Sequence, residues 1–306
     1  MTYSLNMFEN ALNVGIVSND AGGAQNLSHF VRNNPKQYWF SVTGPASGIF
    51  LENIGLGIDE SRSLDELMAN CDLLILSTGW STLIELNALA NAKKQGIFAI
   101  AILDHWVNYE MRFKLSGNLL LPDAIWVVDE HALKIATNEF PSMEIIKVPN
   151  YYLKSELQKV QEIENQSHRL NHDRLLFLGE SISENAHMNF GDELHFGFNE
   201  KSSFEFLLKY LGRDTHFNCI LRIRLHPHEK DSSKYIKILN RLNAQFLRVE
   251  ISTSTLSEDI SWCTSAYGIS SFALYIAACA GKPAFSCIPN SGFDLPFPPS
   301  LVKRIC

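Results

Sequence analysis

Apolar, β-branched runs alternate with stretches of helical spacing through the first half of the chain. The runs lie at residues 12–18, 38–42, 73–76, 97–103, 124–128 and 145–148. Helical patterns separate several of them, at residues 25–32, 63–70, 83–95 and 130–139. This alternation is typical of a doubly wound α/β domain with a mostly parallel sheet. Because such domains bind ligands beyond the carboxyl ends of their strands, chemistry is expected in the loops there.

The pattern turns polar after residue 150 and then repeats. A charged helix is predicted over 153–164, a polar run follows to 173, and a new apolar run begins at 175. After it come a polar loop at 183–199, a strand at 221–225 and helical patterns at 202–211, 232–243 and 256–262. We therefore predict two domains, residues 1–152 and 174–306, joined by a linker at 153–173. The predicted fold class is α/β, with two Rossmann-like doubly wound domains that face a central cleft.

Composition narrows the functional classes. Of the 306 residues, 46% are hydrophobic and 19% charged, as in ordinary globular proteins, and the net charge of -7 argues against nucleic-acid binding. No apolar run is long enough to span a bilayer, and residues 1–10 lack a signal-peptide pattern. We expect a cytoplasmic protein, with peripheral association at the inner face of the membrane as the alternative. The six cysteines include no Cys-x-x-Cys pair and are expected to be reduced.

The first predicted strand ends in the segment Asn19-Asp20-Ala21-Gly22-Gly23. Glycines let the backbone approach a ligand closely, and the start of the following helix favours anions. The same glycines would equally suit a turn that only packs the helix on the strand. The segment does not complete a Gly-x-Gly-x-x-Gly fingerprint. Asp20 is one candidate general base.

A second strand end collects Asp104, His105 and Asn108 with aromatic neighbours. Polar and aromatic side chains together suit sugar binding, so His105 and Asn108 are candidate substrate contacts. Asp104 is a second candidate general base, because a carboxylate placed on a hydroxyl activates an alcohol nucleophile. The residues themselves do not decide between Asp104 and Asp20.

A strand in the second half carries Arg222 and Arg224 and leads into the turn His226-Pro227. The arginines alternate with apolar residues, so both lie on one face of the strand. They either bind the carboxylate of an acidic sugar or bridge to acids on neighbouring elements.

A buried-looking apolar helix begins just after Gly268, Ser270 and Ser271. The start of a helix exposes unpaired backbone N–H groups, and two hydroxyls there could complete a phosphate site. The alternative is that the serines only cap the helix.

Two Rossmann halves, a His-Pro turn late in the chain and a Ser-Ser pair at a helix start resemble the GT-B glycosyltransferases that use CMP-activated acidic sugars. Those families are the bacterial sialyltransferases, the polysialyltransferases and the capsule Kdo transferases. The resemblance implies that His226, with Pro227 shaping its turn, and Ser270 and Ser271 contact the nucleotide phosphate. The families also carry an acidic motif, Asp or Glu twice and then Gly, that supplies the catalytic base. The chain departs from that motif.

The resemblance implies inverting transfer of a nonulosonic acid or Kdo from a CMP-sugar donor to a hydroxyl of a glycan or glycoprotein acceptor. A carboxylate would take the acceptor proton while the phosphate ligands stabilise the leaving group. No Asp-x-Asp metal motif is recognised, so neither a metal nor another cofactor is expected. Two alternatives stay open: a sugar-nucleotide 2-epimerase of similar fold, and a non-catalytic partner subunit that binds a nucleotide.

Overall fold

A computed structural model of the chain provides the fold. It describes residues 2–55, 57, 60–79, 82–166, 172–212, 216–227, 229, 231–289, 292–298 and 300–305. The chain divides into two compact units, residues 1–154 and 155–306.

Unit 1 is built on a parallel sheet. The strands of the unit are β1 (Asn13–Ser18), β2 (Gln37–Val42), β3 (Leu73–Leu76), β4 (Phe98–Leu103), β5 (Lys114–Leu115), β6 (Asn118–Leu119), β7 (Ala124–Val127) and β8 (Glu144–Lys147). In the described residues the main sheet has the order β2-β1-β3-β4-β7-β8, and β5 pairs with β6 as a small antiparallel hairpin. From β1 the chain adds β2 on one side and then crosses to β3 on the other. The switch point of unit 1 therefore lies between β1 and β3.

The helices of unit 1 are α1 (Tyr3–Asn10), α2 (Ala21–Asn33), α3 (Pro45–Ile54), α4 (Leu64–Asn70), α5 (Ile84–Gln95) and α6 (Glu130–Glu139), with a short 3₁₀ helix at Met111–Phe113. The strands β3, β4 and β7 read as continuous apolar runs because helices cover both faces of a parallel sheet. Trp126 of β7 is fully buried, packs edge-on against Phe8 of α1 and donates its indole N–H to Ser4 at 3.1 Å. A buried indole N–H needs a hydrogen-bond acceptor, and α1 supplies it in addition to its apolar packing.

Unit 2 repeats this architecture. Its strands are β9 (Asp173–Leu178), β10 (His216–Arg224), β11 (Gln245–Ile251), β12 (Ser265–Gly268), β13 (Ala284–Ser286) and β14 (Lys303–Arg304). Its helices are α8 (Ile182–Phe190), α9 (Glu200–Leu211), α10 (Ser233–Arg241), α11 (Leu256–Trp262) and α12 (Phe272–Cys279). Among the residues described, the parallel order is β11-β10-β9-β12-β13-β14, which places the second switch point between β9 and β12.

The predicted linker at 153–173 is helical over most of its length. Helix α7 (Tyr151–Gln166) begins in unit 1 and continues in unit 2, where Val160 is buried and Glu156 accepts the hydroxyl of Ser257 at 2.6 Å. Residues 167–171 lie outside the described part of the chain. The boundary between the units falls within a helix, at residues 154 and 155.

Two expectations about local structure were wrong. The polar segment predicted as a loop at 183–199 contains most of α8, which begins at Ile182. Gly22 and Gly23, predicted in a loop, belong to the first turn of α2. Helix α8 has a polar, exposed face, which makes its apolar spacing weak. The first turn of α2 consists of alanine and glycine, and glycine is a weak helix former.

None of the helices in the described ranges combines the length and the apolar character that crossing a bilayer requires.

Candidate functional site

Asp20 stands at the carboxyl end of β1 and caps α2. Its Oδ2 accepts the backbone N–H groups of Gly22, at 3.1 Å, and Gly23, at 3.4 Å. Burial raises the pKa of Asp20 above the ordinary carboxyl value, and the charge of Asp104 raises it further. Arg112 and the two N–H groups act in the opposite direction without cancelling the rise. A half-buried carboxylate with a raised pKa is a stronger base than an ordinary carboxylate and is suited to general-base catalysis.

Asp104 follows β4 directly and is held by an ion pair. Its Oδ1 lies 2.6 Å from Nη1 of Arg112, and both side chains are less than 10% exposed. The same guanidinium nitrogen donates to the backbone oxygen of Thr78 at 2.6 Å and to its hydroxyl at 3.0 Å. Thr78 follows β3, so Arg112 ties together the ends of two adjacent strands. Asp104 thus has a charged protein partner, whereas the hydrogen bonds to Asp20 from the described part of the chain come from backbone N–H groups.

The predicted glycines make room for protein side chains. A Cβ on Gly22 would lie 2.4 Å from Oδ2 of Asp104 and 3.4 Å from Oδ2 of Asp20. A Cβ on Gly23 would lie 2.6 Å from Cβ of Ser77. The two carboxylates that the sequence treats as rivals are therefore neighbours around one glycine at the switch point of unit 1.

Glu85 is a further buried acid in this region and is 2% exposed. It accepts the backbone N–H of Asn19 at 2.9 Å and hydroxyl donations from Ser77 at 3.3 Å and Thr82 at 3.4 Å. These bonds fix the residue next to Asp20 relative to the loop after β3. Trp80 and Ser81 in that loop lie outside the described residues.

His105 and Asn108 lie in the loop after β4. The ring of His105 is 5.0 Å from that of Trp106, whose indole N–H donates to Asp129 at 2.9 Å. Asn108 is exposed and has a left-handed backbone with φ of 61°, and its carbonyl accepts the N–H of Arg112 at 3.1 Å. Asn108 thus shapes the turn that brings Arg112 to Asp104.

In unit 2 the His-Pro turn follows β10. Nδ1 of His226 lies 3.2 Å from the hydroxyl of Ser181, which comes just after β9. The backbone N–H of His226 donates to Glu229 at 2.9 Å, and the N–H of Glu229 returns to the carbonyl of His226 at 2.8 Å. Pro227 is exposed at the apex. A Cβ on Gly179 would lie 2.6 Å from Oε2 of Glu229. The carboxylate that holds this turn therefore occupies the space that a side chain at position 179 would need.

The Ser-Ser pair lies across the switch point of unit 2. Glu180, after β9, accepts the backbone N–H of Ser270 at 2.5 Å and its hydroxyl at 3.0 Å. Burial raises the pKa of Glu180, and the bonds from Ser270 act against that rise. Ser271 is the N-cap of α12 and accepts the N–H of Leu274 at 3.4 Å. Gly268 ends β12, where a Cβ would meet Leu178 at 3.4 Å.

Arg222 and Arg224 bridge to acids of neighbouring elements, as one of the two alternatives expected. Both donate to Asp259, which is fully buried, at 3.1 and 2.9 Å. Arg222 also pairs with Glu250 at 2.7 Å and lies 3.9 Å above the ring of Trp262. These contacts tie β10 to β11 and α11, and they occupy both guanidinium groups with protein partners.

Arg112, Glu180 and Glu229 were not predicted as site residues. Arg112 binds Thr78 after β3 and Glu180 binds Ser270 after β12, and spacing along one segment carries no signal for such contacts. Glu229 binds the backbone of His226 in its own turn, and Arg112 also binds Asp104 in its own loop, so these two contacts are local.

Comparisons with known proteins agree on the fold. No family model and no curated protein matches the sequence. A UDP-GlcNAc 2-epimerase from Neisseria meningitidis bound to UDP-GlcNAc matches with a TM-score of 0.60 and 14% identity, over 90% of this chain and 82% of that one. MnaA of S. aureus with UDP gives 0.58 and 11%, over 90% and 79%. A Methanocaldococcus jannaschii UDP-GlcNAc 2-epimerase with UDP-GlcNAc and UDP gives 0.55 and 12%, over 96% and 88%.

At these identities the likeness concerns the fold alone. It confirms the predicted fold class, an α/β protein of the GT-B type with two Rossmann-like units.

Proposed function

We propose that this protein is an enzyme that uses a nucleotide sugar, and that it transfers the sugar to a hydroxyl with inversion. The observation that carries the proposal is Asp20, a half-buried carboxylate of raised pKa beside the Asp104–Arg112 pair at a switch point. Open α/β sheets bind their ligands at such points. Asp20 is the better candidate base because the carboxylate of Asp104 is already ion-paired with Arg112.

In this reaction Asp20 takes the proton of the acceptor hydroxyl. The acceptor oxygen forms a bond to the anomeric carbon, and the bond from that carbon to the phosphate oxygen breaks with its electron pair on the phosphate. Unit 2, taken by itself, offers the groups suited to binding a phosphate: His226, the hydroxyl of Ser271 and the first N–H groups of α12. Ser271 caps through its oxygen as an acceptor, so its hydroxyl proton can still be donated to a phosphate.

Two observations bear on the donor. Arg222 and Arg224, for which the sequence left the carboxylate of an acidic sugar as one of two possible partners, are paired with Asp259 and Glu250. This pairing favours an uncharged sugar. The likeness of the fold to structures that contain UDP-GlcNAc suggests a UDP-sugar, while the sequence resemblance suggests a CMP-sugar. The two donors are separate hypotheses.

The test is nucleotide release from a panel of CMP-, UDP- and GDP-sugars, with and without a mixture of glycan acceptors, beside thermal-shift measurements of binding. We expect one donor class to raise the melting temperature and to release nucleotide only with acceptor. His226→Ala should lower that turnover by about a hundredfold or more, because a donor to the leaving charge is lost. Normal turnover in this variant would rule out the phosphate role, and Asp20→Asn should bind donor without turnover.

A 2-epimerase is the second candidate, favoured by the closeness of two carboxylates around Gly22. Removing and returning a proton at a sugar carbon uses paired acid and base groups. An epimerase would convert UDP-GlcNAc without any acceptor, which proton NMR detects as a new anomeric signal. Binding of a donor without either reaction would instead indicate a non-catalytic subunit.

A further inference from the structure

The side chain of Lys234 joins two buried carboxylates in unit 2. Its Nζ, on α10, lies 2.9 Å from Oε1 of Glu200 and also contacts Oε1 of Glu229. The side chains of Glu200 and Glu229 are 4% and 5% exposed, and that of Lys234 is 19% exposed. We call these three residues the charge bridge.

Each carboxylate of the charge bridge holds a different loop. Glu200 accepts the N–H of Ser183 at 3.1 Å and its hydroxyl at 2.7 Å, at the start of α8 just beyond β9. Glu229 accepts the N–H of His226 at 2.9 Å and the hydroxyl of Tyr235 at 3.1 Å. One ammonium group thereby fixes the loop after β9 relative to the His-Pro turn after β10.

For Glu200 and Lys234 the surroundings favour the charged form despite burial. Burial would raise the pKa of Glu200, but the hydrogen bonds from Lys234 and Ser183 outweigh it and lower that pKa. Burial would lower the pKa of Lys234, and its bonds to Glu229 and Glu200 raise the pKa instead. A cavity of about 630 Å³ lies beside the charge bridge.

Buried ion pairs are poor stabilisers, since desolvation offsets most of their attraction and apolar residues often do as well. The contribution of this ion pair is geometric, because both carboxylates also accept backbone N–H groups, from the loop after β9 and from the His-Pro turn after β10. We infer that Lys234 is a positioning residue, which holds His226 in the place where it contacts the donor phosphate. This inference rests on the proposed role of His226.

The decisive experiment is a double-mutant cycle on nucleotide binding, measured calorimetrically with CMP, UDP and GDP. Lys234→Met should weaken binding of the nucleotide about tenfold, an effect typical of residues coupled through one network. In a His226→Ala background the same change should weaken binding less than about twofold, because Lys234 acts through a side chain that is no longer there. Lys234→Arg should restore most of the affinity.

Lys209→Met is the matched control, because Lys209 is an exposed lysine on α9 and is not among the residues that line the cavity. It should leave affinity unchanged in both backgrounds. If Lys234→Met does not fold, the double variant Lys234→Met with Glu200→Gln keeps the net charge of the charge bridge and takes its place. Equal weakening with and without His226, or none in either, would overturn the inference. If the unaltered protein binds none of CMP, UDP and GDP, the proposed function itself fails in unit 2.

Discussion

The carboxylate of Asp104 occupies the place where a side chain on Gly22 would be, with Oδ2 only 2.4 Å from an ideal Cβ. Gly22→Ala must therefore push Asp104 away from Arg112 or shift the first turn of α2. We expect turnover to fall by at least about tenfold, as misplacement near 1 Å can cost that much or more. The control is Gly48→Ala in α3, where an added Cβ meets nothing within 4 Å. That variant should keep full activity, and equal rates in both would contradict the close approach.

The second prediction concerns the pH dependence of turnover. Asp20 must be ionised to act as a base, so kcat/KM should fall as the pH drops through its raised pKa. Asp104→Asn removes a negative charge that raises this pKa and frees Arg112 to lower it. The acidic limb should then move to lower pH, as a full profile of kcat/KM against pH would show. Loss of all activity in Asp104→Asn, with activity kept in Asp20→Asn, would instead identify Asp104 as the base.

Glu180 gives a prediction about stability. Burial raises its pKa in the folded protein, so folding favours the protonated form of this carboxyl. Its contribution to the free energy of unfolding should be lost as the pH rises from the ordinary glutamate value through the raised pKa. Urea unfolding of the unaltered protein and of Glu180→Gln at several pH values measures the difference. Glu184→Gln, at an exposed glutamate nearby, is the control substitution.

Asp259 is predicted to be structural. It is fully buried and binds both Arg222 and Arg224, so Asp259→Asn leaves two arginines without their shared charge partner. The free energy of unfolding should drop by about 3–5 kcal/mol, the usual effect of breaking a buried pair. Nucleotide affinity at low temperature should change little. A loss of affinity without a loss of stability would instead indicate that Arg222 and Arg224 bind the nucleotide sugar. Glu258→Gln, exposed on the same helix and still able to cap it, is the control.

The architecture can be predicted from the sequence because the strands of a parallel sheet are buried on both faces and therefore have continuous apolar sequences. Strand β3 and helix α6 have the predicted bounds, at 73–76 and 130–139. Edge strand β11 was missed because it lies half exposed and carries charged residues among its apolar ones. A strand that is buried on both faces is therefore easy to recognise in the sequence, whereas a half-exposed edge strand such as β11 is not.

The sites are less predictable for a different reason. Asp20, Asp104 and His226 are visible as polar residues at strand ends, but some of the contacts that hold these strand ends come from other strands. Arg112 binds Asp104 from the same loop and also Thr78 after β3, and the hydroxyl of Ser181 after β9 lies beside the ring of His226. The contacts between strand ends depend on the order of strands in the sheet, which the sequence alone does not specify.

Gly179 and Glu229 form a pair in which one residue is small because the other is large and charged. A search for sequences of the same kind can use this dependence. A His-Pro dipeptide occurs by chance in many chains, but a glycine at the end of one strand together with a glutamate three positions after the histidine of the next is a much rarer combination. Any relative with a side chain in place of Gly179 should also have lost the acid, and with it this way of building the turn.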